Sequence, residues 1–394
     1  MLILSCNVGS TSLKYRLYDM AAGEKELASG HFEGVGRKTG AFKQQTAEGI
    51  REAGNAPPVS YADAINQLMR FLLETGTLPE GKCPACVAFK VVAALGYSGV
   101  QQLDEAVLGS MAAINSLLPA HNPPYITAVR LFARRMPGTP MIGSFETGFF
   151  QDMPEYAAIY PLPRNLFEQG VRRNGAHGAS HEFVSRWIMQ KEGREDLKII
   201  TCHLGGSSSL AAVKDGKGVD TTIGMSLQTG LPHNNRIGDI DPYLTFYLNE
   251  SLGMGLEEIK ALYSQESGLK GLSGGLSDDF REIQQAAWGG NPAAKTAVEA
   301  FAYQIKKQIG AYAAALGGLD AIAFAGGIGQ NNPALRAAAI EGLEFLGIKI
   351  DPEKNGNAAP GSLISAEGSP VRVYVVATNE EIVIARKALA FLTV

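Results

Sequence analysis

Arg236-Ile237-Gly238-Asp239-Ile240-Asp241-Pro242 follows a stretch, Thr221–Asn235, that holds no charged residue. An arginine placed there either pairs locally with Asp239 or Asp241, or projects into a site. Asn7-Val8-Gly9-Ser10-Thr11-Ser12-Leu13-Lys14 gathers backbone N–H groups, the hydroxyls of Ser10 and Ser12 and one lysine around a turn. Phosphate needs such donors, because its oxygens only accept hydrogen bonds. An ordinary hairpin with a solvated lysine is the plainer reading of the same segment. Gly205-Gly206-Ser207-Ser208-Ser209 repeats the arrangement without a lysine. Ala325-Gly326-Gly327-Ile328-Gly329-Gln330-Asn331 reads as a glycine-rich turn between a strand and a helix. Its glycines let backbone approach a flat or phosphorylated ligand, with a helix N-terminus beyond.

Other candidates are weaker. Gly76–Lys82 fits GxxxxGK, but Cys83 stands where a P-loop needs a hydroxyl, and the segment follows a helix rather than a strand. Cys83-Pro84-Ala85-Cys86 is a CxxC without a second pair, so two ordinary thiols are expected. His177 and His181 have zinc-protease spacing, yet Gly178 replaces the glutamate such a site requires, and a helix N-terminal turn is the better reading. Small neighbours in Asn174-Gly175-Ala176-His177-Gly178 leave His177 sterically open. Thr378-Asn379-Glu380-Glu381 suits a helix cap, with a metal ligand as the sharper alternative.

The elements that must position these residues come in two copies. Ile3-Leu4-Ser5-Cys6-Asn7-Val8-Gly9-Ser10-Thr11-Ser12-Leu13 is echoed by Ile199-Ile200-Thr201-Cys202-His203-Leu204-Gly205-Gly206-Ser207-Ser208-Ser209-Leu210. Each copy reads as strand, tight turn, strand. The cysteines stand 202 − 6 = 196 residues apart, near half the chain of 394, which implies duplicated domains. Helical spacing predicts helices at Tyr61–Glu74, Asp104–Leu117, Tyr125–Arg135, His181–Glu192, Pro242–Ser251, Asp279–Ala287, Pro292–Leu316 and Asn332–Leu346. Strands are expected at Ala85–Val92, Thr139–Ser144, Lys198–His203, Ala321–Ala325 and Val371–Val376, and the alternation makes an α/β protein.

Composition narrows the partners. Hydrophobic residues make 45% of the chain and charged residues 19%, enough for a sizeable core. Net charge is 35 − 39 = −4 with no basic run, which argues against nucleic acid. The longest charge-free stretch, Ala106–Val129, is broken by Asn115, His121, Asn122 and Pro123-Pro124 and does not suit a membrane span. MLILSCNVGS lacks the basic start of a signal peptide, and four cysteines are too few for a disulfide framework. A cytoplasmic chain is expected.

The ordered set Asn7–Lys14, His121-Asn122-Pro123, Arg172–His181, His203–Leu210, Arg236–Pro242, Asp279-Phe280-Arg281, Ala311–Asp320, Gly326–Asn331 and Asn379-Glu380-Glu381 resembles the acetate and propionate kinase family. The resemblance implies duplicated ribonuclease H-like domains of the actin/Hsp70 type facing a central cleft. It places one domain at residues 1–145 plus 382–394 and the other at 146–381. It implies ATP-dependent phosphoryl transfer to a short carboxylate, with ATP and ADP as substrates, Mg2+ or Mn2+ as cofactor, and a homodimer. By the family pattern Asn7 and Glu380 lie at the metal, Lys14 near the phosphates, and His203, Leu204, Gly205, Gly206 and Ser207 along them. Asp279, Phe280, Arg281, Gly327, Ile328, Gly329, Gln330 and Asn331 would contact the adenosine. Arg236 and His177 match the residues that stabilise the transferring phosphoryl group, and His121 a lesser contributor.

Departures from the pattern cluster at the acceptor and the phosphates. Phe89-Lys90-Val91-Val92-Ala93-Ala94-Leu95 replaces His-Arg-Val-Val-His-Gly-Gly, so the substrate-carboxylate arginine is Lys90. The catalytic aspartate is Glu146, in Phe145-Glu146-Thr147-Gly148-Phe149. The turn His-Leu-Gly-Asn-Gly-Ala-Ser is here His203-Leu204-Gly205-Gly206-Ser207-Ser208-Ser209, and His233-Asn234-Asn235 replaces Met-Gly-Thr. A glutamate of the adenosine loop is Gln330. These changes suggest an altered acceptor pocket; the alternative is a nucleotide-binding regulatory member with lost or pyrophosphate-driven transfer.

Overall fold

The computed structural model describes residues 1–56, 60–118 and 121–393. They form two compact units, Met1–Gln151 with Asn379–Val394, and Asp152–Thr378. The first holds β1 (Leu2–Val8), β2 (Ser12–Asp19), β3 (Lys25–Glu33), β4 (Gly40–Thr46), β5 (Gly49–Ala56), β6 (Cys86–Val91), β7 (Val100–Gln102) and β8 (Met141–Phe145). Their order in the sheet is β5-β4-β3-β2-β1-β6-β8-β7. The second holds β9 (Lys198–His203), β10 (Ser209–Lys214), β11 (Lys217–Thr221), β12 (Ala321–Ala325) and β13 (Arg372–Val375), in the order β11-β10-β9-β12-β13.

The echo in the sequence is an echo in topology. β1 runs antiparallel to β2 and parallel to β6, which is parallel to β8. β9 likewise runs antiparallel to β10 and parallel to β12, which is parallel to β13. The third strands, β3 and β11, extend each hairpin antiparallel, each with a register shift. Ile3 to Cys6 and Ile199 to Cys202 are buried, as central strands covered on both faces require. In the first unit the C-terminal helix Glu380–Leu392 packs on β1 and β6, and in the second the helix Pro292–Leu316 packs on β9 and β10. Phe301, Ile305 and Ile309 of that helix join the core with Ile200, Leu210 and Phe324.

Most expected helices and strands are present, with local differences. The helix expected over Asp104–Leu117 covers Glu105–Ala113. Pro242–Ser251, read as one helix, is a short α segment, Leu244–Phe246, running into a wider π turn over Tyr247–Ser251. Gly326–Asn331, read as a turn, is itself helical. The unit boundaries fall after Gln151 and before Asn379, so Glu146 and Glu380 group with the first unit. The reason is local: the 3-10 turn Glu146–Phe150 continues β8, and Asn379 caps the helix that lies on β1 and β6.

Candidate active site

Polar residues collect where parallel strands end. In the first unit Lys14, Asn7, Lys90 and Ser144 stand in one row across β2, β1, β6 and β8. In the second, Ser209, His203 and Ala325 form the corresponding row across β10, β9 and β12. Open α/β sheets bind ligands at such carboxyl ends, where strands run out of neighbours but the chain is still held in register.

Lys90 is the centre of the first group. Its ammonium hydrogen-bonds to the Glu380 carboxylate and lies 3.7 Å from Oε2 of buried Glu146. Burial alone would lower the Lys90 pKa, but the two carboxylates outweigh it and hold it above the usual lysine range. Tyr125 donates its hydroxyl to Asn7 Oδ1 at 3.1 Å. Ser10 and Ser12 sit on the first turn, closed by a Gly9 N–H bond to the Ser12 carbonyl at 2.9 Å, and Lys14 is exposed. His121 stands at the N-terminus of the helix Asn122–Arg135. Glu380 and Asn7 offer hard oxygen atoms, which suits a magnesium ion that keeps waters and takes phosphate oxygens as further ligands. Among the described residues no group of three or more His, Cys, Asp or Glu side chains is arranged to hold a metal. The CxxC thiols are free, Cys83 exposed and Cys86 buried in β6.

The second unit carries a histidine–hydroxyl network. His177 begins the helix Gly178–Glu192 with φ +55°, a left-handed conformation that costs a non-glycine residue about 1–2 kcal/mol. Its ring stacks on His203 at 4.4 Å, and its Nδ1 lies 2.7 Å from Ser209 Oγ. The same Oγ lies 2.7 Å from Nε2 of buried His181, whose Nδ1 meets Thr201 Oγ1 at 2.6 Å. His203 Nδ1 lies 2.7 Å from Ser180 Oγ. Sequence reasoning missed Ser180, Thr201 and the partnership of His181, although the i, i+4 spacing from His177 puts both rings on one helix face.

Arg236 does not pair locally. Asp239 Oδ1 accepts from the Gly230 N–H and Asp241 Oδ1 from the Tyr243 N–H. Among the described residues the half-buried guanidinium has no hydrogen-bond or ion-pair partner, and burial lowers its pKa to about 10. It remains a cation at neutral pH. Its loop is tied to the glycine–serine turn: the Ser208 N–H donates to His233 Nδ1 at 3.0 Å, and the Asn234 N–H to the Gly206 carbonyl at 3.1 Å.

The residues expected along a nucleotide divide. Asp279 caps the helix Phe280–Trp288 and pairs with Arg281 at 2.5 Å. The side chains of Leu204 and Phe280 lie in the core, Phe280 edge-on to Phe301 at 5.5 Å, so only their backbone can reach a ligand. Gly327, Ile328, Gly329, Gln330 and Asn331 form the short helix, but its Ile328 and Gly329 N–H groups donate to the Leu204 carbonyl. Its first turn is therefore capped by Leu204, just ahead of the glycine–serine turn, rather than open. Buried Arg336, unforeseen from the sequence, donates to the carbonyls of Gly329 and Gln330 and anchors the other end.

The model of the acetokinase family matches residues 2–386. The chain belongs to the acetokinase family. An acetate kinase of Clostridium botulinum (strain Loch Maree) is 41% identical over 392 residues, 98% of each chain. The solved Porphyromonas gingivalis acetate kinase has a TM-score of 0.88 at 34% identity, covering 99% of both chains. A propionate kinase from Francisella tularensis reaches 0.89 at 33% identity over 98% of both. Membership makes the protein a phosphotransferase that uses ATP and a carboxyl group as acceptor, on two domains of the actin/hexokinase type. A regulatory chain without transfer is not favoured by matches of this length.

Proposed function

We propose that the protein phosphorylates acetate or a similarly short carboxylate, with Arg236 and His177 acting on the transferring phosphoryl group and His121 contributing less. The observation that carries this reading is the half-buried Arg236 guanidinium, without a hydrogen-bond or ion-pair partner among the described residues, on a loop tethered to the Gly205–Ser209 turn. A carboxylate is already a competent nucleophile at neutral pH, so no strong base is needed. The task is to bring two anions into line and neutralise the equatorial oxygens as charge shifts. Amides of Gly205, Gly206 and Ser207, Lys14, and the hydroxyls of Ser10 and Ser12 serve the phosphates. His203 stacks against His177 and steadies it. Backbone at Asp279–Arg281 and Gly327–Asn331 serves the adenosine.

The acceptor side is built on Lys90 and Glu146. Together with Glu380 they carry a net charge of 1 − 2 = −1 on these side chains, which by itself repels an anionic acceptor. A magnesium or manganese ion held by Glu380 and Asn7 would offset that charge and neutralise phosphate oxygens. The protein further forms a homodimer through the apolar surface of Tyr243, Leu244, Phe246, Tyr247, Leu252 and Leu256, all exposed. Tyr and Phe are residues enriched in interface cores. Its four free cysteines suit the reducing cytoplasm. No helix among the described residues is long and apolar enough to cross a membrane.

The test is ATP, magnesium and a panel of short carboxylates with hydroxylamine to trap acyl phosphate. Hydroxamate with acetate, propionate or a near analogue supports the reading. ATP binding without hydroxamate from any acid overturns it.

A further inference from the structure

Asn234 occupies an unusual position. Its backbone N–H donates to the Gly206 carbonyl at 3.1 Å, and its carbonyl accepts from the Lys270 N–H at 2.8 Å. Its side-chain Nδ2 donates to the Asp278 carbonyl at 2.6 Å, immediately before the capping Asp279. One residue therefore touches the glycine–serine turn, carries the loop that ends in Arg236, and holds the segment leading into Asp279–Arg281. A β-carbon placed on Gly206 would lie 3.6 Å from Asn234 Nδ2 and 4.0 Å from its Cγ. That is ordinary van der Waals contact, so a side chain longer than alanine at 206 would compete with the Asn234 amide for the same space. The two positions share one space, and this chain fills it from position 234.

His233 locks the same contact. It is wholly buried, and its Nε2–H donates to the Thr229 carbonyl at 3.1 Å, which leaves Nδ1 as the acceptor for the Ser208 N–H. The neutral tautomer is thereby assigned by its partners on both sides.

We infer that Asn234 is a positioning residue whose amide packs against Gly206 from the opposing loop and ties that loop to the segment before Asp279, and so fixes Arg236 relative to the phosphate turn. The inference rests on the reading of Gly205–Ser209 as that turn. It concerns geometry rather than contact with reacting atoms, so its signature is a fall in kcat with nucleotide affinity preserved.

The test is a cycle of N234G, G206N and G206N/N234G in the full chain, with kcat, ADP affinity by calorimetry and thermal melting for each. N234G should lower kcat about tenfold while ADP Kd moves less than about threefold, as expected when a catalytic group is misplaced. G206N should lose at least about tenfold, and the double variant should lose far less than the product of the two single losses, a strong non-additivity. Losses in the double variant that equal the product of the singles overturn the inference while leaving nucleotide binding by the parent intact. A parent chain that binds no ADP overturns both the phosphate-turn reading and the inference. Should G206N fail to fold, a soluble double variant supports the shared place and an insoluble one overturns it.

Discussion

At the scale of residues, the chemistry of the site depends on which charges are already answered. Lys90 is answered by Glu380 and Glu146, partners that the sequence could not reveal because Glu380 lies 290 residues away. The sequence showed only that lysine and glutamate stand where the family has arginine and aspartate. Removing the cation takes from two buried carboxylates the ammonium that both contact, and breaking such a buried pair costs about 3–5 kcal/mol. Urea denaturation should therefore find K90M destabilised by about that amount, with K90M/E146Q regaining much of it. A K90M variant as stable as its parent would refute the triad. The buried imidazoles give a second expectation. Burial pushes His233 down to about 3 and holds His181 well below its ordinary value, so both fold neutral. The unfolded chain takes up those protons below its unperturbed histidine pKa of about 6.5, so it binds more protons than the fold and stability falls as pH falls from there towards 3. His233 contributes up to about 1.4 kcal/mol per pH unit in that window. H233M should show a shallower dependence of unfolding free energy between pH 6.5 and 4.5, and an unchanged slope would contradict the assignment.

At the scale of elements, what was legible had strong local punctuation. The helix Tyr61–Glu74 begins at a Ser60 capping box, and Pro292–Leu316 runs from an Asn291 cap to a left-handed Gly317. Lys198–His203 and Ala321–Ala325 are apolar runs of central strands, and both match the expected bounds. The meander β3 to β5 went unread because few of its residues are buried, so no apolar alternation marks it. The Gly326–Asn331 helix was read as a turn because glycine opposes helix locally; the Leu204 carbonyl and Arg336, both distant in sequence, hold it. Gly326 has φ +75°, and a β-carbon there would lie 2.4 Å from the Leu204 carbonyl oxygen. G326A should accordingly cost at least about 2 kcal/mol in chemical denaturation and raise the apparent KM for ATP. Wild-type stability in that variant would show that the turn and the short helix are not clamped together.

At the scale of the whole molecule, duplication explains why chemistry collects at corresponding places. The strand set β3-β2-β1-β6-β8 and the set β11-β10-β9-β12-β13 share one order and one pattern of directions. The carboxyl ends of β1 and β6 bring Asn7 and Lys90 together, and the end of β9 brings His203 to the turn. The repeated strand–turn–strand was readable from the sequence; the third strands and the long-range partners were not, since neither has a local signal. The exposed Tyr243, Phe246 and Tyr247 belong to this scale as well. Analytical ultracentrifugation should find the parent as a dimer and Y243D/F246D as a monomer. A dimer that survives both charges would place the interface elsewhere.

The most direct measurement is steady-state phosphorylation of acetate by R236A beside its parent, with ATP and acetate each varied. A half-buried guanidinium serving the transferring phosphoryl group predicts a loss of about 10³ in kcat, with the apparent KM for ATP within about threefold of the parent. Near-normal turnover by R236A would contradict the account at its centre.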